Sequence, residues 1–227
     1  MEDHKDHEDH SESPGARQSS PQGLTLRERK KRQTRQRISD AATELFCARG
    51  FDHVTVAEVA EAAQVSAMTV FNYFPRKEDL FLDRIPEAVE LVGRAVRERE
   101  PEHSPTEAVR RTLLELHDQR HPLAGVADRF VNFWQVVIDS PALQARAREG
   151  VEEVEDALAR AIAEECGAGP GDEGPRLAAA LTVAAYRTAY LTAVRRLLAG
   201  ERAEDFADEQ RALIHRVFDA VERALGQ

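Results

Sequence analysis

"VSAMTVFNYFPRKEDL", residues 65–80, sets three aromatic rings into four consecutive positions just before a proline and a run of mixed charge. Ser66 suits an N-cap, where a side-chain oxygen accepts a backbone N–H of the first helical turn. Pro75 disfavours helical geometry in the residue before it, so a short helix ends near Phe74. On that helix Val65, Val70 and Phe74 fall on one side, while Ala67, Met68, Thr69, Asn72 and Tyr73 fall on the other. The first set reads as a core face, with Phe71 joining Phe74 in it. The second set reads as a surface that touches a partner.

Upstream, Thr55 and Glu58 form a T-x-x-E capping box, in which the hydroxyl takes a free N–H at the helix start and the carboxylate reaches back. A second helix therefore starts at Thr55, turns Val56, Val59, Ala60 and Ala63 inward, and is interrupted by "AQVS" after about two turns. Before it, Ile38, Ala41, Ala42, Leu45 and Phe46 recur at helical spacing and Gly50 is placed as a stop, giving a first helix over roughly 26–49. Two short helices joined by a tight turn, residues 55–74, are a helix-turn-helix, whose second helix fits the major groove of B-DNA. Thr69 and Tyr73 are four apart, so their hydroxyls can meet consecutive phosphates. Asn72 can read a base edge, Ala67 and Met68 can meet a thymine methyl, and Lys77 adds a phosphate contact.

Charge supports this placement. The 227-residue chain carries a net charge of −10, but its distribution is uneven. Residues 1–23 hold two Lys/Arg against six Asp/Glu, residues 24–79 hold ten against eight, and the remainder nineteen against twenty-seven. Within the one positive block, "RERKKRQTRQR" (27–37) has seven basic residues and one acid, a patch that a phosphate backbone attracts through counterion release. Arg27, Arg29 and Lys30 at its start are placed for phosphates flanking the groove.

Residues 1–23 contain almost no large apolar side chain and read as a disordered acidic tail. His4, His7 and His10 recur there among carboxylates, a spacing open to transient metal capture but most simply a solvated tail. Apolar runs broken by charge and the lack of a basic-then-apolar leader point to a cytoplasmic protein with no membrane partner. Cys47 and Cys166 lie far apart and read as reduced, buried hydrophobes. No metal spacing, nucleophile elbow or Gly-rich phosphate loop occurs, so no metal, cofactor or enzymatic activity is expected.

Beyond Pro75 helical periodicity continues, punctuated by Pro and Gly, and predicts helices at about 77–99, 105–119, 122–139, 141–166, 175–199 and 203–225. Ser104-Pro105-Thr106-Glu107 and Ser140-Pro141 are start signals. No stretch alternates with period two, so the chain is all-α. It divides into the tail (1–23), a DNA-binding domain (24–80) and a helical domain (81–227).

The segment "RQRISDAATELFCARGFDHVTVAEVAEAAQVSAMTVFNYFPRKEDLF" (35–81) resembles the DNA-binding domain of TetR-type transcriptional regulators, through its "ELF...G", "TVAEVAEAA", "VS...T" and "YF...KEDL" motifs. The resemblance implies a homodimer that binds a palindromic operator in double-stranded DNA and represses until a small-molecule effector in the C-terminal domain releases it. It carries DNA contacts onto Thr55 and Ala57, onto Ala67, Met68, Thr69, Phe71, Asn72 and Tyr73, and onto Lys77. Two positions depart from the pattern. Gln64 stands where many relatives have Gly in the turn, so the turn either changes geometry or is strained. Phe71 stands where relatives often have Tyr and offers no hydroxyl to a phosphate.

In the C-terminal domain, His117, His121, Phe130, Phe133, Trp134 and Gln135 have the polar-plus-aromatic composition of a ligand pocket, although Phe130, Phe133, Trp134 and Val137 are equally a core stripe. The last two helices bear apolar faces that include Leu181, Ala185, Thr188, Leu213, Val217 and Val221. The resemblance makes these a four-helix dimer interface, while the same faces can close one protomer's own core. The rival reading is an all-α enzyme that uses His117 or His121 as an acid–base group.

Overall fold

The structure, a computed structural model, describes residues 25–125, 127–169 and 171–226, and among these every regular element is a helix. The acidic tail with His4, His7 and His10 lies outside the described residues.

α1 spans Leu26–Arg49 and opens on a capping box absent from the sequence reading: the Glu28 N–H donates to Thr25 Oγ1 at 3.2 Å and the Thr25 N–H to Glu28 Oε2 at 2.8 Å. Its first two turns are solvated, and only from Ile38 does it bury a stripe, Ile38, Ala42 and Phe46. It stops at Gly50, whose φ of 83° and ψ of 152° belong to a region open to glycine alone. α2 is Val56–Ala62, begun by the expected Thr55/Glu58 box, and α3 is Ala67–Tyr73, capped by Ser66 Oγ accepting the Thr69 N–H at 3.1 Å.

The joint between α2 and α3 settles the question of Gln64. The Gln64 N–H donates to Glu61 O at 3.0 Å and the Val65 N–H to Ala60 O at 2.9 Å, which closes α2 in a Schellman motif. Gln64 itself takes the left-handed position, at φ 53°. The turn thus keeps the geometry that glycine would give it, at a cost of about 1 kcal/mol.

After α3 the chain departs from the expected helix over 77–99. Glu78–Leu80 form a single 3-10 turn and α4 runs from Ile85 to Arg97. Pro86 is the reason: lacking an N–H, it is tolerated only in a first turn, so the helix starts beside it. The expected helix over 122–139 is likewise divided into 3-10 turns at Pro122–Ala124 and Asp128–Phe130 followed by α6, Val131–Asp139. Gly125, left-handed at φ 71°, ends the first of these turns. α5 (Pro105–Asp118), α7 (Pro141–Cys166), α8 (Gly174–Leu198) and α9 (Ala203–Leu225) fall where periodicity put them.

α4 packs on α7, α7 on α8, and α8 on α9, with α5 closing against α9. Val96, Leu113, Leu158, Ile162, Ile214 and Phe218 fill this bundle. The N-terminal core of Ile38, Phe46, Val59, Val70 and Phe74 continues through Phe81 to Val137 and Leu143 of α6 and α7, so the DNA-binding unit is packed onto the second domain. α8 is long and apolar enough to cross a membrane by length and composition, although Arg176, Arg187 and Arg195 interrupt its apolar run as the sequence implies. Its Ala179, Ala189 and Ala193 are buried against neighbouring helices. Cys166 is exposed at the end of α7, not buried, while Cys47 is half-buried.

Candidate nucleic-acid interface

α3 has the two faces its sequence implies. Val70 and Phe74 are fully buried and Val65 packs against them, while Ala67, Met68 and Asn72 are exposed. Phe71 corrects the sequence reading: the residue is 49% exposed and lies on the outward face with Met68, which is 69% exposed. Seven helical residues present only about two turns, so a ring one step from Val70 cannot also reach the core. Thr55 and Ala57 at the start of α2 are exposed as well. Thr69 is half-buried, its hydroxyl 2.8 Å from Ser66 Oγ, so the cap and the contact surface share one group.

Arg35 fixes the far end of α3. Its guanidinium lies 4.2 Å from the centre of the Phe74 ring, donates to Tyr73 O at 2.9 Å, and reaches Asp83 O at 3.2 Å. A carbonyl that helix geometry leaves unpaired at the C-terminus thereby gains a charged donor. This member of the basic run is a brace, a role that composition alone does not reveal. Ser39 Oγ donates to Asp83 Oδ2 at 2.6 Å beside it, and burial raises the Asp83 carboxyl above its ordinary value.

Lys77 sits at the edge of the 3-10 turn. Its ammonium donates to Phe51 O at 2.6 Å and lies 4.2 Å from the Phe51 ring centre, and burial lowers its pKa. Part of its hydrogen-bonding capacity thus holds the α1–α2 connector, and an ammonium's remaining donors are what it can offer a phosphate.

Beside α3, Arg27, Lys30, Lys31, Thr34 and Tyr73 line an open cleft of ≈ 350 Å³. The structure therefore brings together three residues chosen from sequence, Arg27, Lys30 and Tyr73, and adds Lys31 and Thr34. Lys31 and Thr34 follow Lys30 by one and four positions, so helical spacing carried the signal for Thr34. Arg29 is exposed outside this cleft.

The six residues expected to line one pocket are dispersed. His117 is 7% exposed, its Nε2 donates to Ala207 O at 3.1 Å, and it lines a cleft of ≈ 220 Å³ between α5 and α9 with Asp118, Arg120, Asp208 and Arg211. His121 instead caps the Pro122 turn, accepting the Leu123 N–H at 3.3 Å, with Glu87 3.3 Å from Nε2. The two histidines therefore lie in separate settings, each with its own carboxylate neighbours. Among the described residues, no group of three His, Cys, Asp or Glu is placed to hold a metal. Phe130 is half-buried beneath the Arg129 guanidinium. Gln135 is exposed and donates to Asp139 at 3.0 Å.

Phe133 and Trp134 belong to a chain of ring contacts. Phe46 meets Phe81, Phe81 stacks on Phe133 at 4.5 Å, Phe133 meets Trp134, and Trp134 meets Tyr190 at 5.4 Å. Tyr186 and Tyr190 then donate to Leu123 O at 2.9 Å and Pro122 O at 3.2 Å. The core-stripe reading holds for this pair, and the stripe joins α1 to α8.

Of the six interface candidates, Ala185 and Val221 are buried in the protomer's own bundle, so they cannot meet a partner. Leu181 and Val217 are half-buried against it, Leu213 is half-buried, and Thr188 is exposed. Leu177, Ala184 and Leu191 share the exposed face of α8 with Thr188.

Comparison with known proteins agrees with this geometry. Residues 38–83 match the family model described as "Bacterial regulatory proteins, tetR family", and residues 103–226 match one described as "MftR C-terminal domain". The HTH-type transcriptional regulator TcmR of Streptomyces glaucescens is 35% identical over 158 residues, covering 67% of this chain and 69% of TcmR. Among solved structures, a TetR-family regulator from Mesorhizobium loti shares the fold with a TM-score of 0.55 at 17% identity, over 85% of this chain and 96% of that one. A SmeT–triclosan complex does so with 0.55 at 16% identity, over 85% of this chain and 91% of that one. With matches to both domains and a relative that spans most of the chain, this protein belongs to the TetR family of bacterial transcriptional regulators.

Proposed function

We propose that the chain is a homodimeric repressor that binds a palindromic operator in the cytoplasm and is released by a small molecule held in its C-terminal domain. The observation that carries this reading is the outward face of α3. Met68, Phe71 and Asn72 are exposed on a helix whose other face is locked into the core, next to the cationic cleft of Arg27, Lys30, Lys31 and Tyr73. Apolar groups on a DNA-facing helix meet thymine methyls, while the cleft anchors phosphates and fixes register. Direct hydrogen-bond readout rests mainly on Asn72, so the shape of the operator supplies much of the specificity.

The exposed stripe of Leu177, Ala184, Thr188 and Leu191 on α8 supports self-association, and a two-fold axis would match a palindrome. The triclosan bound by the similarly folded SmeT supports a small-molecule effector, and the seam of Trp134, Tyr186 and Tyr190 supplies aromatic surface for one. Binding of the purified protein to palindromes from its own upstream region, titrated against salt, tests the proposal. Sequence-preferring, salt-sensitive binding by a dimer is expected, and binding without sequence preference would overturn it.

A further inference from the structure

The start of α1 concentrates cations as no other stretch of the chain does. Elsewhere about half of the arginines are paired, among them Arg76 with Glu149, Arg110 with Asp219, Arg146 with Asp79, Arg196 with Glu209 and Arg211 with Asp118, while others such as Arg94 and Arg187 stand singly along the chain. On one side of α1, Arg27, Lys30, Lys31 and Arg37 are all exposed and form no ion pair among the described residues, with Arg29 and Arg32 exposed on the other side. Four like charges sharing one side along about 15 Å of helix repel one another and attract any polyanion within reach.

A polyanion is attached to them. Glu2, Asp3, Asp6, Glu8, Asp9 and Glu12 precede α1 in the same chain, and residues 13–24 between them and the helix contain no acid. Twelve linking residues span at most about 40 Å when extended, so the acidic segment can reach every cation of the face. A short tether also raises its local concentration to roughly the millimolar range.

We infer that residues 2–12 dock on the cationic face of α1 and compete there with DNA phosphate, an autoinhibitory contact built into the chain. The inference rests on the proposed role of that face in holding DNA. Its consequence is selective: operators whose α3 contacts are good displace the segment, whereas nonspecific DNA, held by phosphate contacts alone, meets a face already neutralised.

The test compares the full chain with a variant of the same length in which Glu2→Gln, Asp3→Asn, Asp6→Asn, Glu8→Gln, Asp9→Asn and Glu12→Gln are combined. At about 50 mM salt the variant is expected to bind nonspecific DNA about tenfold more tightly and the operator a few-fold more tightly, with the gap closing by about 200 mM. A synthetic peptide of residues 1–14, added in trans, should displace nonspecific DNA from the variant. Equal or weaker binding by the variant at low salt would overturn the inference and leave the operator reading intact. A gap that grows with protein concentration would place the acids on a neighbouring molecule and overturn the intrachain contact. If neither protein prefers the operator to nonspecific DNA, the proposed function fails first and this inference with it.

Discussion

Arg146 of α7 donates through Nε to Asp79 Oδ1 at 2.7 Å and through Nη1 to Glu153 Oε1 at 2.8 Å, with its side chain only 8% exposed. Asp79 also accepts the Arg76 N–H at 3.3 Å, so one carboxylate both closes the turn behind Pro75 and ties it to α7. Two further fastenings lie alongside. Phe81 stacks on Phe133, and Ile85 packs so closely on Gly150 that a Cβ there would lie 2.6 Å from Ile85 Cδ1.

Replacing Arg146 with Met keeps most of the buried stem and removes the charge. Asp79 would then retain one backbone donor in a largely buried position. Arg146→Met should lower stability by about 1–3 kcal/mol, less than for a fully buried pair because Glu153 is half-exposed. Urea unfolding measures this. A loss below about 0.5 kcal/mol would mean that solvent already screens the pair.

At Gln64 the same measurement should move the other way. A left-handed residue without glycine's freedom carries about 1 kcal/mol of strain, while glycine loses more entropy on folding. Gln64→Gly should therefore stabilise the chain by about 0.5 kcal/mol and leave operator preference unchanged, since the Schellman hydrogen bonds come from the backbone. A destabilised variant would show that the Gln64 side chain makes a compensating contact.

The local features were legible in the sequence because caps, prolines and helical spacing act within one or two turns. Thr55, Ser66 and Pro75 fixed the helix-turn-helix to within a residue, while the same logic applied to Pro86 would have moved the start of α4. What sequence could not decide was which of two plausible faces wins. Phe71 sits between the core and surface sides of α3, and Ala185 and Val221 lie on long helices that are apolar on more than one side. The burial of Ala185 and Val221 depends on what α7 and α5 bring up against α8 and α9. The expected pocket is dispersed for a related reason: His117, His121 and Trp134 are near in sequence, but left-handed residues at Arg120 and Gly125 turn the chain between them.

The exposed Phe71 separates folding from recognition. Phe71→Ala should change stability by less than about 0.5 kcal/mol, as surface substitutions do, yet weaken operator binding by removing apolar contact. Asn72→Ala should relax preference at one base pair, a loss of about 1–3 kcal/mol in discrimination. Parallel unfolding and binding titrations check both. A Phe71→Ala protein that unfolds much more readily would return that ring to the core, and unchanged base preference would remove Asn72 from the readout.

His117 gives the stability of the C-terminal bundle a pH dependence. Its Nε2 carries the proton donated to Ala207 O, and its buried Nδ1 has no hydrogen-bond partner among the described residues, so a second proton has no acceptor there. Burial lowers its pKa below the ordinary 6.5, with Arg211 opposing protonation and Asp118 favouring it. A depressed value in the folded chain means that unfolding takes up a proton once pH falls below about 6.5. The contribution of His117 is thus complete above that pH and is lost as pH falls through it toward the depressed value. His117→Gln retains an N–H for Ala207 O but does not titrate. Between pH 7.5 and 5.5 the urea midpoint of the native chain should fall further than that of the variant, and equal falls would mean that His117 protonates in place, with its Nδ1–H satisfied by water from the α5–α9 cleft.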